Sequence, residues 1–137
     1  FDIERSHALG AIIKKVHDAK KEKLNKVQIW GTGKPIREWL YVKDGAEALV
    51  RSIDLDSGHH FFNVGVEKGI SVIELAEIIK EKFGWNGEFE LDTSRPDGVH
   101  EKKVDGNLGQ IKLDWKPETN LNDGIQQTVD WYIKHYG

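Results

Sequence analysis

The chain has 137 residues, 38% of them apolar and 31% charged, with a formal net charge of −3. That is the length of one ordinary domain with enough apolar residues for a core, and it carries no global basic field for nucleic acid. With no cysteine it has no disulfide, thiolate metal site or cysteine nucleophile, which is compatible with a reducing cytoplasm, and no apolar run approaches the roughly 20 residues that span a bilayer.

From Arg5 to about Lys23, Ala8, Ala11, Ile12, Val16 and Ala19 recur at helical spacing, with lysines on the opposite side and Ser6 or Asp2 placed to cap. The dense lysines from Lys14 to Lys23 read as the solvated face and end of that helix. Val27 to Trp30 is a short predicted strand, Gly31-Thr32-Gly33-Lys34-Pro35 a loop, and Ile36 to Val42 a second strand. Asp44 is placed to cap a helix over Gly45 to Ile53, and His60 to Val64 (HFFNV) reads as an apolar strand. Ser71-Val72-Ile73-Glu74 has the spacing of a capping box, opening an amphipathic helix from Val72 to Phe83 that Gly84 stops. Glu88 to Leu91 alternates like a strand, Thr93 to Gly98 is a polar turn-rich loop, and a short helical turn falls near Asn107–Lys112. Asn120 to Asp123 then caps a last helix, Gly124 to Tyr136, with Ile125, Val129 and Tyr132 facing inward.

Helices and short strands alternate, so the expected class is α/β, or α+β for this stretch alone. HFFNV is apolar on both faces, as in a parallel sheet covered on both sides, yet few strands are at hand to flank it. The chain begins Phe1-Asp2-Ile3-Glu4 and contains no methionine. A single-domain fragment of a longer protein is therefore expected, although a removed tag or processing would leave the same start.

Five segments in order carry a resemblance. They are Glu4-Arg5-Ser6-His7; Trp30 to Asp44 (WGTGKPIREWLYVKD); Asn63-Val64-Gly65 followed by Ser71 to Ala76; Asp92 to Gly98 (DTSRPDG) followed by Lys102-Lys103-Val104-Asp105; and Leu113 to Pro117 followed by Gly124 and Thr128 to Tyr132. Together they resemble the C-terminal, substrate-binding portion of the extended short-chain dehydrogenases/reductases (the NAD-dependent epimerase/dehydratase family). Within it they are most similar to the GDP-L-fucose synthase branch. The sequence departs from that branch at Gly10, where proline is usual, and at Glu101, where arginine is usual.

The resemblance implies an epimerase/reductase acting on a 4-keto-6-deoxy sugar carried on a nucleotide, with a GDP-sugar favoured, in the cytoplasm. It implies NADP, or NAD, bound mainly by an N-terminal Rossmann domain absent from this chain, and a homodimer at full length. The family's glycine-rich phosphate turn and its Tyr-x-x-x-Lys pair have no match here: Gly31-Thr32-Gly33 is followed by Lys-Pro and a strand, and neither Tyr41 nor Tyr132 has lysine four residues on. The fragment alone is thus expected to be inactive. A UDP- or dTDP-sugar 4-epimerase, dehydratase or reductase, or a non-catalytic sugar-nucleotide-binding domain, shares the same motifs.

By the same resemblance His7 is the acid/base of epimerisation next to a ketone, work suited to an imidazole. Its cysteine partner would lie upstream. Trp30, Arg37 and Lys102 fall where the family contacts the sugar nucleotide, Ile12 and Lys15 toward its nucleotide end, and Arg95 on the loop at that side of the cleft. An indole covers an apolar face, and guanidinium and ammonium groups neutralise a diphosphate. The competing readings are core packing for Trp30, an ion pair with Glu38 or Asp44 for Arg37, and a surface turn for Arg95-Pro96-Asp97. Glu74, Asn63 and the two C-terminal tryptophans read as structural. No metal site and no nucleic-acid or membrane partner is expected.

Overall fold

A computed structural model describes Phe1 and residues 6–137. The Asp2 cap and the Glu4-Arg5 part of the first motif lie outside the described residues.

Helix α1 (Ala8–Lys21) turns Ile12, Ile13, Val16 and Ala19 into the core, as the spacing predicts. Its N-cap is His7, and neither His7 nor Ser6 supplies a capping side chain. Strand β1 (Lys26–Trp30) buries Val27 and Ile29 beneath α1. The helix α3 (Val72–Phe83) has the full capping box: Glu74 N–H donates to Ser71 Oγ, and Ser71 N–H donates back to the Glu74 carboxylate at 2.8 Å. Gly84, at φ 58°, ends it in the left-handed conformation. Strand β4 (Glu88–Asp92) then pairs parallel with β1, Lys26 opposite Glu88 through to Trp30 opposite Asp92. The last helix, α5 (Leu121–Tyr136), packs Ile125, Val129 and Tyr132 against α3. Side chains as fully enclosed as Ile13, Val16, Leu75 and Ile79 stabilise such a core by about 1.5–3 kcal/mol each.

A second sheet is built from two-residue strands: β2 (Ile36–Arg37) lies between β3 (Ile70–Ser71), antiparallel, and β5 (Glu101–Lys102), parallel. A smaller cluster gathers Ala48 of α2 (Val42–Arg51), Leu113 of α4 (Asn107–Leu113) and Trp115, with Phe62 against it. The mixed α/β class is as expected.

Four element expectations are corrected. The strand predicted over Ile36–Val42 stops at Arg37, where its two-residue neighbours end. Beyond it Glu38 accepts from Val104 N–H, Trp39 packs on the main core and Leu40 on the smaller cluster. Helix α2 starts at Val42, with Tyr41 as N-cap. Asp44 sits buried in its first turn, where an anion suits the helix dipole, and accepts from Thr119 N–H and Oγ1 at 3.1 Å each. HFFNV forms no strand, because no neighbouring strand among the described residues offers it a ladder. Helix α5 also begins three residues earlier than predicted, with Asn120 accepting from Asp123 N–H at 3.0 Å. Of the C-terminal tryptophans, Trp115 is buried, whereas Trp131 is half exposed and stacks on His135.

Candidate functional site

Parallel pairing brings the C-terminal ends of β1 and β4 together, so the turn after Trp30 and the loop after Asp92 emerge side by side. Gly31 N–H carries the ladder one step further by donating to Asp92 O at 2.9 Å. One face of α1 lies against the same end. The result is a cavity of about 220 Å³ lined by Ala8, Ile12, Lys15, Ile29, Trp30 and Val72.

Trp30 is 55% exposed, which sets aside the core-packing reading. Two cations address its ring: Lys15 Nζ stands 5.3 Å and Arg95 Cζ 5.0 Å from the indole centroid. Contacts of this kind are worth about 0.5–1 kcal/mol where solvent has access. Lys15 also donates to Gln28 O at 2.9 Å, and burial pushes its pKa below the ordinary 10.5. A half-buried ammonium with no acidic partner among the described residues gains from an incoming anion. The structure thus brings four of the sequence-predicted residues, Ile12, Lys15, Trp30 and Arg95, to one place.

Arg37 and Lys102 form a second group. They are directly opposed in the parallel β2–β5 pair, so both side chains leave the same face of the sheet. Arg37 makes no ion pair among the described residues: its guanidinium donates to Ile36 O and Val99 O, each at 2.7 Å. Glu38 and Asp44, its expected partners, are engaged with Val104 and Thr119. Two of the five guanidinium N–H donors serve the backbone, leaving three for a ligand. Lys103 pairs with Glu101 at 2.6 Å, which neutralises the anion at the position of departure and leaves Lys102, likewise exposed, as the lysine without an ion pair among the described residues.

His7 is exposed at the N-terminus of α1 and is not among the residues that line the cavity, although Ser6 and Ala8 on either side are. Eight helical steps separate it from Lys15, about 12 Å along the axis. The site is therefore elongated, with an imidazole at one end and the indole and its cations at the other.

The sequence motifs contained one feature whose partner was not legible. Asp97 accepts from Thr32 N–H at 2.6 Å and from Thr32 Oγ1 at 2.7 Å, and these bonds hold its carboxyl below the ordinary 3.8. No local pattern announces a contact between residues 65 apart. Gly31-Thr32-Gly33 does not form a dinucleotide cradle, because the turn leads into β2 and Thr32's amide is spent on Asp97. Among the described residues no group of three or more His, Cys, Asp or Glu is placed to hold a metal ion, and no helix is long and apolar enough to cross a membrane.

A larger groove, about 880 Å³, lies elsewhere, between α2 and the HFFNV segment, and is lined by Leu40, Val42, Leu49, Leu55, Phe62 and Leu113. Around it Val42, Leu49, Val50, Ile53 and Phe61 are exposed.

Residues 1–65 match the NAD dependent epimerase/dehydratase family. GDP-L-fucose synthase 1 of Arabidopsis thaliana is 40% identical over 135 residues, 98% of this chain and 42% of that protein. The crystal structure of a GDP-L-fucose synthetase from Naegleria fowleri bound to NADP superimposes with a TM-score of 0.91 at 26% identity, over 99% of this chain and 43% of that one. A GDP-6-OMe-4-keto-L-xylo-heptose reductase from C. jejuni gives 0.81 at 28% identity, over 97% and 49%. The chain thus spans about two-fifths of the length of the curated relatives it matches. The ordered motifs, the fold and these similarities agree: the chain is similar over residues 1–65 to the NAD dependent epimerase/dehydratase family, and over nearly its whole length to the C-terminal region of GDP-L-fucose synthases.

Proposed function

We propose that this chain is the sugar-nucleotide-binding portion of an NAD(P)-dependent epimerase/reductase that acts on a GDP-linked 4-keto-6-deoxy sugar. The observation that carries the reading is that Ile12, Lys15 and Trp30 line one cavity, with Arg95 over the indole of Trp30. In this reading the indole covers an apolar face of the nucleotide. Lys15, Arg37, Arg95 and Lys102 neutralise its diphosphate, and His7 at the far end exchanges protons next to the sugar ketone. That last step removes a proton from the carbon beside the carbonyl and returns one to the opposite face, with a second acid/base supplied from outside this chain.

NADP, or NAD, supplies hydride to the ketone when bound. The described residues offer it no phosphate turn, so its site belongs to the rest of a longer protein. Similarity to proteins more than twice as long supports this, and so does the uncovered apolar face of α2 and Phe61, which fits a surface on which further chain packs. The partners proposed are that remainder, a GDP-sugar and a second copy in a homodimer. The absence of cysteine suits a reducing cytoplasm.

Titration of GDP, UDP and dTDP into the 137-residue chain and into Trp30→Ala tests the reading. GDP should bind most tightly and the variant should weaken it. Equal binding of GDP by both proteins would overturn the site assignment, and preference for UDP or dTDP would overturn the base.

A further inference from the structure

We infer that Asp97 is a positioning residue, which clamps the loop after β4 onto the turn after β1 and so holds Arg95 over the indole of Trp30. The inference rests on the nucleotide-site reading above for its consequence in binding, though not for its geometry.

Arg95 does not fix its own position. Its side chain is 58% exposed, and its nearest carboxylate, Asp92, lies 3.8 Å from Nε. The backbone beneath it is constrained instead. Arg95 N–H donates to Asp92 O at 3.2 Å, and Asp92 Oδ1 accepts from Ser94 N–H at 3.1 Å, which closes the start of the loop. Pro96 then restricts Arg95 to extended conformations. One residue on, the Asp97 carboxylate takes both donors of Thr32. Arg37 holds Val99 O on the far side. The stretch that bears Arg95 is thereby tied at three points to β4, to the turn after β1 and to β2.

The turn is shaped to accept that carboxylate. Gly31 has φ +81°, a conformation L side chains rarely adopt, and a Cβ added there would run into Asp97 Oδ1. The WGTG segment therefore works as a receptor for an acidic side chain from the second loop. This places its glycine and threonine in a role distinct from phosphate binding.

The test joins a ligand titration to a ligand-free signal. GDP binding is measured for wild type, Asp97→Ala, Arg95→Ala and the double variant. Each single change should weaken binding about two- to fivefold, the worth of one exposed cation–π contact. The double variant should be no weaker than either single one. Thr32→Val, which removes the hydroxyl and keeps the amide, should reproduce part of the Asp97→Ala effect in the same direction, Thr32→Ser should restore most of that part, and this pair serves if Asp97→Ala does not fold. Without ligand, the Trp30 indole Nε1–H resonance, assigned by its loss in Trp30→Phe, should move in Asp97→Ala toward its position in Arg95→Ala. Additive losses in the double variant, or an indole signal unmoved by Asp97→Ala, would overturn the inference. If wild type and Trp30→Ala bind GDP alike, the nucleotide reading fails, and the indole signal alone decides for or against the clamp.

Discussion

Arg37 shows how one side chain can serve both the fold and a ligand. Its bonds to Ile36 O and Val99 O aim the guanidinium along the β2–β5 face beside Lys102. Three N–H groups remain, enough for a bidentate hold on a phosphate. In the reading proposed, the diphosphate is bound alike in ground and transition states, so the cation supplies uniform binding. In the longer enzyme, Arg37→Ala should therefore raise KM more than it lowers kcat. A charge-assisted hydrogen bond contributes about 1.5–3 kcal/mol, on the order of ten- to hundredfold in affinity. Arg37→Lys should keep only part of this, since an ammonium cannot reproduce the fork that reaches two carbonyls. Separate titrations of GDP and GMP into wild type and variants check it, and unchanged affinity for both would return Arg37 to a purely structural role. His7, at the other end of α1, calls for a different signature: His7→Gln should impair epimerisation more than reduction, because only the former takes protons from carbon. Assaying the two half-reactions separately checks this, and equal losses would count against the role. At this scale the aromatic and cationic members of the candidate site are conspicuous in the sequence as indole and guanidinium groups. The sequence left Asp97 and Thr32 unpaired, since their contact spans two loops joined only by the β1–β4 register.

Helix α3, with a local signal at each end, matches its predicted bounds. The capping box at Ser71 and the glycine at Gly84 are self-contained signals, and α3 runs between them. Ser71→Ala should cost about 1 kcal/mol of stability through the lost cap, a drop that a denaturant titration against wild type resolves. Ser71→Thr or Ser71→Asp should largely preserve it. Elements that depend on partners were less legible. Ile36 to Val42 has strand-like residues but gains only two ladder positions, because β3 and β5 are equally short. HFFNV has the composition of a buried strand and lies as irregular chain, with Phe61 95% exposed and Phe62 turned to the Trp115 cluster. Strand propensity describes fit to a half-buried pleated surface, and none is present beside this segment among the described residues.

At the scale of the molecule, two halves of a chemistry separate. What the 137 residues assemble is a set of cations and an indole, which the proposed reading assigns to a nucleotide diphosphate, with an imidazole about 12 Å along α1 from Lys15. What hydride transfer requires is a nicotinamide held in place and an acid beside the carbonyl. The one glycine-rich turn that could resemble a phosphate cradle is committed elsewhere. It runs into β2 rather than a helix, its threonine amide and hydroxyl are bonded to Asp97, and Gly31 is open so that this carboxylate can enter. An acidic side chain in that position repels a pyrophosphate. Neither Tyr41 nor Tyr132 carries a lysine four residues on; Tyr41 Oη donates to Gln127 and Tyr132 is buried in the α1–α3–α5 core. The 137-residue chain by itself should therefore bind GDP while neither binding NADP nor oxidising NADPH. Calorimetry with NADP and with GDP, alongside absorbance at the reduced nicotinamide band with a keto-sugar nucleotide present, measures both. NADPH oxidation that scales with the concentration of this chain would sink the division of labour. GDP binding without it would support the reading of this chain as the sugar-nucleotide half.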